Sequence, residues 1–287
     1  MKLFRDRDAT SRDKLPMKAQ SDTSSSPILY SCTSREQRAV EQFVEFHSLI
    51  YVESGDIQFK SVEGVQTFGA GSFVLIKRNQ LVKTIKTPPS GGSFESVSIF
   101  FEQELLRRYS IQRGIFSTKP YQGPNRIELP TNIFLTSFFE SIKPYLHHPA
   151  PTNSILTNLK CQEALELILS IQLDLTGLLL DFSDPYKVDL EAFMVQHFMF
   201  NVSIDAFARM TGRSRAGFKR DFEKVFRSTP GQWLKQKRLE EAHHLIQNKK
   251  MNPSMVYLEV GFENLSHFSY AFKQQFGVAP STLLTGQ

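Results

Sequence analysis

Two stretches near the C-terminus carry side chains suited to meeting a polyanion. The first holds Ser214, Arg215, Ala216, Lys219 and Arg220; the second holds Asn264, Leu265, Ser266, His267, Tyr270 and Lys273. A guanidinium can give two parallel hydrogen bonds to guanine O6 and N7, and serine or histidine can meet base edges or phosphate oxygens. Helical periodicity puts Ala216, Lys219 and Arg220 on one face, with Arg215 at the N-terminal turn. It puts Ser266, His267, Tyr270 and Lys273 on the matching face of the second stretch. A single exposed Lys or Arg on a helix is most often merely solvated. The same face being polar in both stretches is what points to a contact surface. Capped helix starts add N–H groups that can face phosphate.

Other chemistries find less to work with. His47 is the only histidine near the segments that read as strands, and there is no His-x-His pair. His147 and His148 are neighbours, so on a helix they point about 100° apart and do not converge on an ion. The sequence therefore predicts no catalytic residue, no metal site and no cofactor. Cys32 and Cys161 neither cluster nor form a disulfide framework, which fits a reducing cytoplasm. No apolar run reaches the ~18 residues of a membrane span, and the charged start MKLFRDRDATSRDK is not followed by the apolar core of a secretory signal.

The elements that must position the two polar faces are legible from a repeat. Phe218, Phe222, Phe226, Pro230 and Leu234 recur fifty residues later as Phe268, Phe272, Phe276, Pro280 and Leu284. Phenylalanines at i, i+4 and i+8 share one helical face. That face must turn inward, since exposing the rings would forfeit roughly 1.5–3 kcal/mol each. Helix starts are marked by Ser203, Ser214, Thr229-Pro230, Asn252-Pro253 and Asn264, and stops by Gly212, Gly261 and Gly277. The pattern predicts two small helical units bridged by a long helix from Pro230 to about Gln247, bearing Trp233, Leu234 and Leu239. Each unit has the outline of a helix-turn-helix.

Charge separates this segment from the rest. From Lys187 onward there are 14 Lys and Arg against 9 Asp and Glu, leaving 20 of each before it. The whole excess of +5 lies with the repeated helices, which fits polyanion binding by one domain only. The first 27 residues, ending SDTSSSP, read as a polar tail. Between Phe43 and Phe101 the runs SLIYVES, DIQFK, VQTFG, SFVLIK and SVSIFF, set apart by turn residues, predict a compact antiparallel barrel of the cupin type. A short helix is expected from Glu102 to about Arg108. Two more follow between Thr131 and Asp181, broken at Pro149-Ala150-Pro151. Ser154 is a candidate cap for the second, whose apolar residues wrap wide enough to pack on the barrel and meet a second subunit. The expected organisation is a tail over 1–27, a cupin-like sensor or dimerisation domain over 28–181, a linker over 182–188 and a double helix-turn-helix domain over 189–287. The fold class is therefore α+β with two domains.

The segments MTGRSRAGFKRDFEKVFRSTPGQWLKQKRLEEAHHLI and LEVGFENLSHFSYAFKQQFGVAP resemble the two halves of the AraC/XylS DNA-binding domain, over about a third of the chain. The resemblance implies a sequence-specific transcription regulator, an activator, placing helices that begin at Arg215 and Leu265 in successive major grooves of double-stranded DNA. It implies RNA polymerase as a partner. It further implies a sensor or oligomerisation role for the N-terminal domain, with either a small molecule or a protein as effector. The chain departs from the family where it has Tyr257, Pro253, Tyr270 and Glu223. Two other classes stay open on the residues alone. One is a cupin-type enzyme with an accessory helical domain; the other is an interaction module of the same helical fold without DNA binding.

Overall fold

A computed structural model describes residues 27–117, 119, 121–147, 154–183 and 187–285. The expected tail, the Pro149-Ala150-Pro151 break, the Ser154 cap and the middle of the expected linker lie outside the described residues and side chains.

Among the described residues, nine strands form two antiparallel sheets. They are β1 (Ile28–Thr33), β2 (Gln37–Val44), β3 (His47–Ser54), β4 (Asp56–Ser61), β5 (Gly64–Phe68), β6 (Phe73–Ile76), β7 (Gln80–Thr87), β8 (Phe94–Phe101) and β9 (Arg126–Leu129). One sheet runs in the order β1-β8-β3-β6-β9 and the other β2-β7-β4-β5. The period of two decides which core each side chain joins. On β3 and β6, Leu49, Phe73 and Leu75 face a layer of helices, whereas Ile50, Val52, Val74 and Ile76 face Ile57, Phe59, Phe68 and Val82 of the second sheet. The larger sheet is thus buried on both sides, which is why its central strands read as nearly unbroken apolar runs.

The covering helices are α1 (Gln103–Arg113), α2 (Ile133–His147), α3 (Ser154–Ile171) and the single turn α4 (Thr176–Leu179). Phe138, Phe139, Ile142, Leu165 and Ile168 fill the space between them and the sheet. The C-terminal region is all helical: α5 (Leu190–His197), α6 (Ile204–Met210), α7 (Arg215–Phe226), α8 (Pro230–Lys249), α9 (Pro253–Glu259), α10 (Leu265–Phe276) and α11 (Thr282–Thr285).

The sequence reading needs correction at the edges. Strands β1, β2 and β9 were not expected, and all three are sheet edges; β7, inside its sheet, was not among the named runs either, although the turns at Lys77-Arg78-Asn79 and Pro88 bound it. Edge strands carry polar residues and lack the apolar density of central ones, so ILYSCT and QRAVEQFV read as loop. The helix after Glu102 continues to Arg113, closed by Gly114 at φ 64°. Helix α5 was also missed: Leu190, Phe193 and Met194 keep helical spacing, but exposed Ala192 and Val195 blur the polar side that would mark the period in eight residues.

The two domains touch. Leu81 of β7 enters the core of the first helical unit beside Leu190, Met194 and Phe207. The Lys83 ammonium on the same strand face donates to the Glu259 carbonyl at 2.8 Å and sits over the Phe200 ring. Arg209 of α6 pairs with Glu45, just past β2.

Candidate nucleic-acid interface

Each recognition segment begins at a cap set by sequence. Ser214 Oγ accepts from the Gly217 N–H at 3.1 Å, and Asn264 Oδ1 accepts from Ser266 and His267 N–H at 2.8 and 3.0 Å. Those three amides are therefore engaged within the protein, and a phosphate would have to use others.

The phenylalanine faces point inward. Phe218, Phe222, Phe268 and Phe272 are fully buried. The rings repeat as the sequence does. Phe218–Phe222 and Phe268–Phe272 centroids lie 5.5 and 5.6 Å apart, and Phe222–Phe226 and Phe272–Phe276 lie 4.3 and 4.6 Å apart. The third ring of each set is only partly buried and leans on the bridging helix α8, Phe226 on Trp233 and Phe276 on His243, both at 4.6 Å. Helix α8 serves both cores, giving Trp233 and Leu234 to the first and Leu239, Ala242 and Ile246 to the second.

Turning the phenyl rings in turns the opposite face out. Ser214, Arg215, Ala216, Lys219 and Arg220 are exposed, as are Asn264, Leu265, Ser266, His267, Tyr270 and Lys273. None of these side chains is sealed against the barrel. The structure thus brings the candidates together in two clusters, one on α7 and one on α10.

The two clusters differ electrostatically. On α7 both arginines already have carboxylate neighbours: Arg215 Nε lies 3.4 Å from Asp205, and Arg220 Nε lies 3.4 Å from Asp221. Asp221 also accepts from Arg213 Nε at 3.2 Å. Arg213 and then Arg220 hold its carboxyl below the usual carboxylate range. Both arginines are exposed and the pairs are weak, and a guanidinium held through Nε still has Nη donors to present outward. Around α10 no such acid clamp is present among the described residues.

The residues at which the chain departs from the family are accommodated. Tyr257 packs half-buried against the second core, and Pro253 opens α9 with Asn252 Oδ1 capping the Ser254 N–H at 2.9 Å.

Comparison with known proteins agrees with this geometry. A helix-turn-helix domain model matches residues 207–286, and an ExsA N-terminal regulatory domain model matches residues 47–176. The two matches, one in each domain, support an AraC-type regulator. Its relatives are transcription regulators. HTH-type transcriptional regulator ExsA of Pseudomonas aeruginosa is 23% identical over 235 residues, covering 81% of this chain and 84% of that protein. Thermoregulatory protein LcrF of Yersinia pestis is 30% identical over 131 residues, 45% of this chain and 48% of that protein. A crystal structure of a ToxT variant from Vibrio cholerae covers 91% of this chain and 98% of its own at 12% identity, with a TM-score of 0.45. The α+β two-domain architecture is seen directly in the structure, and the helix-turn-helix match together with these relatives supports the role of DNA-binding transcription regulator.

In the N-terminal domain, no three His, Cys, Asp or Glu side chains stand as a metal-ligand group among the described residues. His47, weighed above as a candidate ligand, is buried. Its Nδ1 accepts from the Arg78 N–H at 3.3 Å, and burial, aided by the charge of Arg78, pushes its pKa down to about 3. No helix among the described residues is long and apolar enough to cross a membrane.

From sequence, a ligand pocket in the barrel is one of two open alternatives; a cavity of about 910 Å³ lies between the two sheets, with Val202, Ser203 and Arg209 of the first helical unit also in its lining. Ile50, Ile57, Phe59 and Val82 line it; Thr84, Lys86, Ser96 and Ser98 are among its polar members, as are the carboxylates of Glu45, Glu102, Asp205 and Glu263. Lys86 Nζ donates to Ser31 Oγ at 2.6 Å, and desolvation lowers its pKa. The signal was faint: inward serines on otherwise apolar strands.

Proposed function

We propose that this regulator reads DNA through α7 and α10 together, with Arg215 and Arg220 meeting base edges from the first and Ser266, His267 and Tyr270 from the second. Ser214, Ala216, Lys219, Asn264, Leu265 and Lys273 complete the contact, with Lys219 and Lys273 facing phosphates. The observation that carries this reading is the exposure of both polar faces while both phenylalanine faces are buried. The working division is a tail over 1–27, a sensor and dimerisation domain over 28–181, a linker over 182–188 and the DNA-binding domain over 189–287. The protein acts in the cytoplasm as an activator, binding beside promoters and contacting RNA polymerase.

The cavity supports a small-molecule effector in preference to a protein one. Its apolar walls and mixed polar lining, with the half-buried Lys86 ammonium as well as several carboxylates, suit a compact apolar molecule with one polar end. Because residues of the first helical unit also line the cavity, occupancy would bear on how the domains dock. Ile155, Leu156 and Leu159 of α3, all exposed, support a homodimer through that helix.

The test is selection of bound fragments from the organism's own genomic DNA, followed by gel shift of the recovered fragments and of scrambled controls. The account expects a specific site bound ~10³-fold or more tightly than scrambled DNA at the same salt. Equal affinity for both would remove sequence-specific readout.

A further inference from the structure

We infer that Arg238 fixes the angle between the two helix-turn-helix units and so sets which spacing of half-sites the protein accepts, although it touches no base. The inference rests on the two-groove reading above. Helix α8 has twenty residues, so it spans about 30 Å at ~1.5 Å per residue. Its two ends are embedded in separate cores, one holding Trp233 and Leu234 and the other Leu239, Ala242 and Ile246. Apolar burial is non-directional. A helix held only by two oily seams would fix how far apart the units lie and leave each free to rock.

Arg238 sits between the seams and supplies the missing direction. Its Nε donates to the Phe198 carbonyl at 2.8 Å and its Nη2 to the Phe200 carbonyl at 2.7 Å, both in the segment leading into α6. Its Nη1 donates to the Gly261 carbonyl at 3.1 Å, in the turn between α9 and α10. One planar fork thereby ties the backbones of both units. The same seam is closed tightly. Gly261 has φ +86°, and a Cβ added there would lie 2.5 Å from the Met199 carbonyl oxygen, so only glycine lets the second turn abut the first unit. At the rim, Asn201 Nδ2 donates to Glu263 Oε1 at 2.8 Å, again linking unit to unit.

A block locked in this way cannot follow a change in spacing. Each base pair inserted between half-sites turns the far one by roughly 35° and moves it ~3.4 Å. The DNA then has to deform to restore contact, at a cost in binding. Loosening Arg238 lets the protein absorb part of that change.

The test uses the full chain and a genomic fragment selected by the wild type. Footprinting first locates the protected grooves, and gel shifts then measure affinity for that site with no, one and two base pairs inserted between them. Wild type should lose about tenfold or more on the first insertion. Arg238→Lys, which keeps the charge as a point donor, should bind the original site more weakly yet lose only about threefold or less on the same insertion. Asn201→Ala, a surface change that leaves the seam filled, should flatten the ratio in the same direction by less. A wild-type ratio in both variants would overturn the inference, whatever their melting temperatures. So would wild type that protects two grooves and ignores the insertion. Protection of a single groove would instead remove the two-groove reading beneath it.

Discussion

The two helix-turn-helix units are one design executed with different chemistry. Their phenylalanine ladders superpose in spacing to within 0.3 Å by ring centroids, and both begin at a polar cap. Fifty residues apart, however, Arg220 is matched by Tyr270, Glu223 by Lys273 and Asp221 by Ala271. The first unit presents guanidinium groups with carboxylate neighbours. The second offers hydroxyl, imidazole and phenol groups, with a lysine on the face where the first has a glutamate. A repeated scaffold can thus keep its inward face and diverge on its outward one, because packing constrains the first and only the DNA constrains the second.

The inward likeness predicts the largest effects, and it predicts that they match. Phe222→Ala and Phe272→Ala should each cost roughly 3–5 kcal/mol in urea unfolding followed by circular dichroism. A loss confined to one variant would break the equivalence of the two cores. The outward difference predicts the next. Arg220→Ala should cost about 1–3 kcal/mol on the selected site and relax sequence preference at one position, read by gel shift across single-base variants. Tyr270→Ala should cost less, since a phenol lacks the bidentate match to guanine. Equal costs would mean that the second unit reads bases as firmly as the first.

Smaller still is the effect of Lys273→Gln. If that ammonium faces phosphate, affinity should fall alike for specific and scrambled DNA, and the slope of log affinity against log salt should flatten by about one. Smallest is the effect of the Asp221 acid clamp of the first unit, which has no counterpart in the second among the described residues. Asp221 is held below the usual carboxylate range by Arg213 and Arg220. Its contribution to stability is therefore present above the unfolded value near ~3.9 and is lost as pH falls through the depressed one. Asp221→Asn should lower the urea midpoint slightly at pH 7 and leave it at the wild-type value in strong acid. A difference that persists in acid would mean that the side chain acts through packing instead of charge.

How much of this was legible in the sequence follows from the range of the forces involved. Caps at Ser203, Ser214, Thr229, Asn252 and Asn264 are local chemistry, and each accepts the expected N–H. The phenylalanine faces are a matter of period, so burial and exposure of α7 and α10 could be read in advance. Central strands such as FVLI declare themselves by density, whereas β1, β2 and β9 lie at edges and mix polar with apolar residues. Contacts between distant elements leave no local mark. Nothing near Leu81 or Lys83 says that β7 will lie against the helical domain, and nothing near Arg238 says that its guanidinium will meet carbonyls 38, 40 and 23 residues away. The cavity belongs to the same class, since it is made by strands from opposite sheets.

The central claim is that two outward polar faces engage one DNA duplex together. Hydroxyl-radical footprinting of the full chain on its selected genomic site tests it most directly. The account predicts two protected patches on the same face of the duplex, one helical turn apart (~34 Å), with Arg220→Ala weakening the one and Tyr270→Ala the other. A single patch, or two that both answer to Arg220 alone, would contradict it.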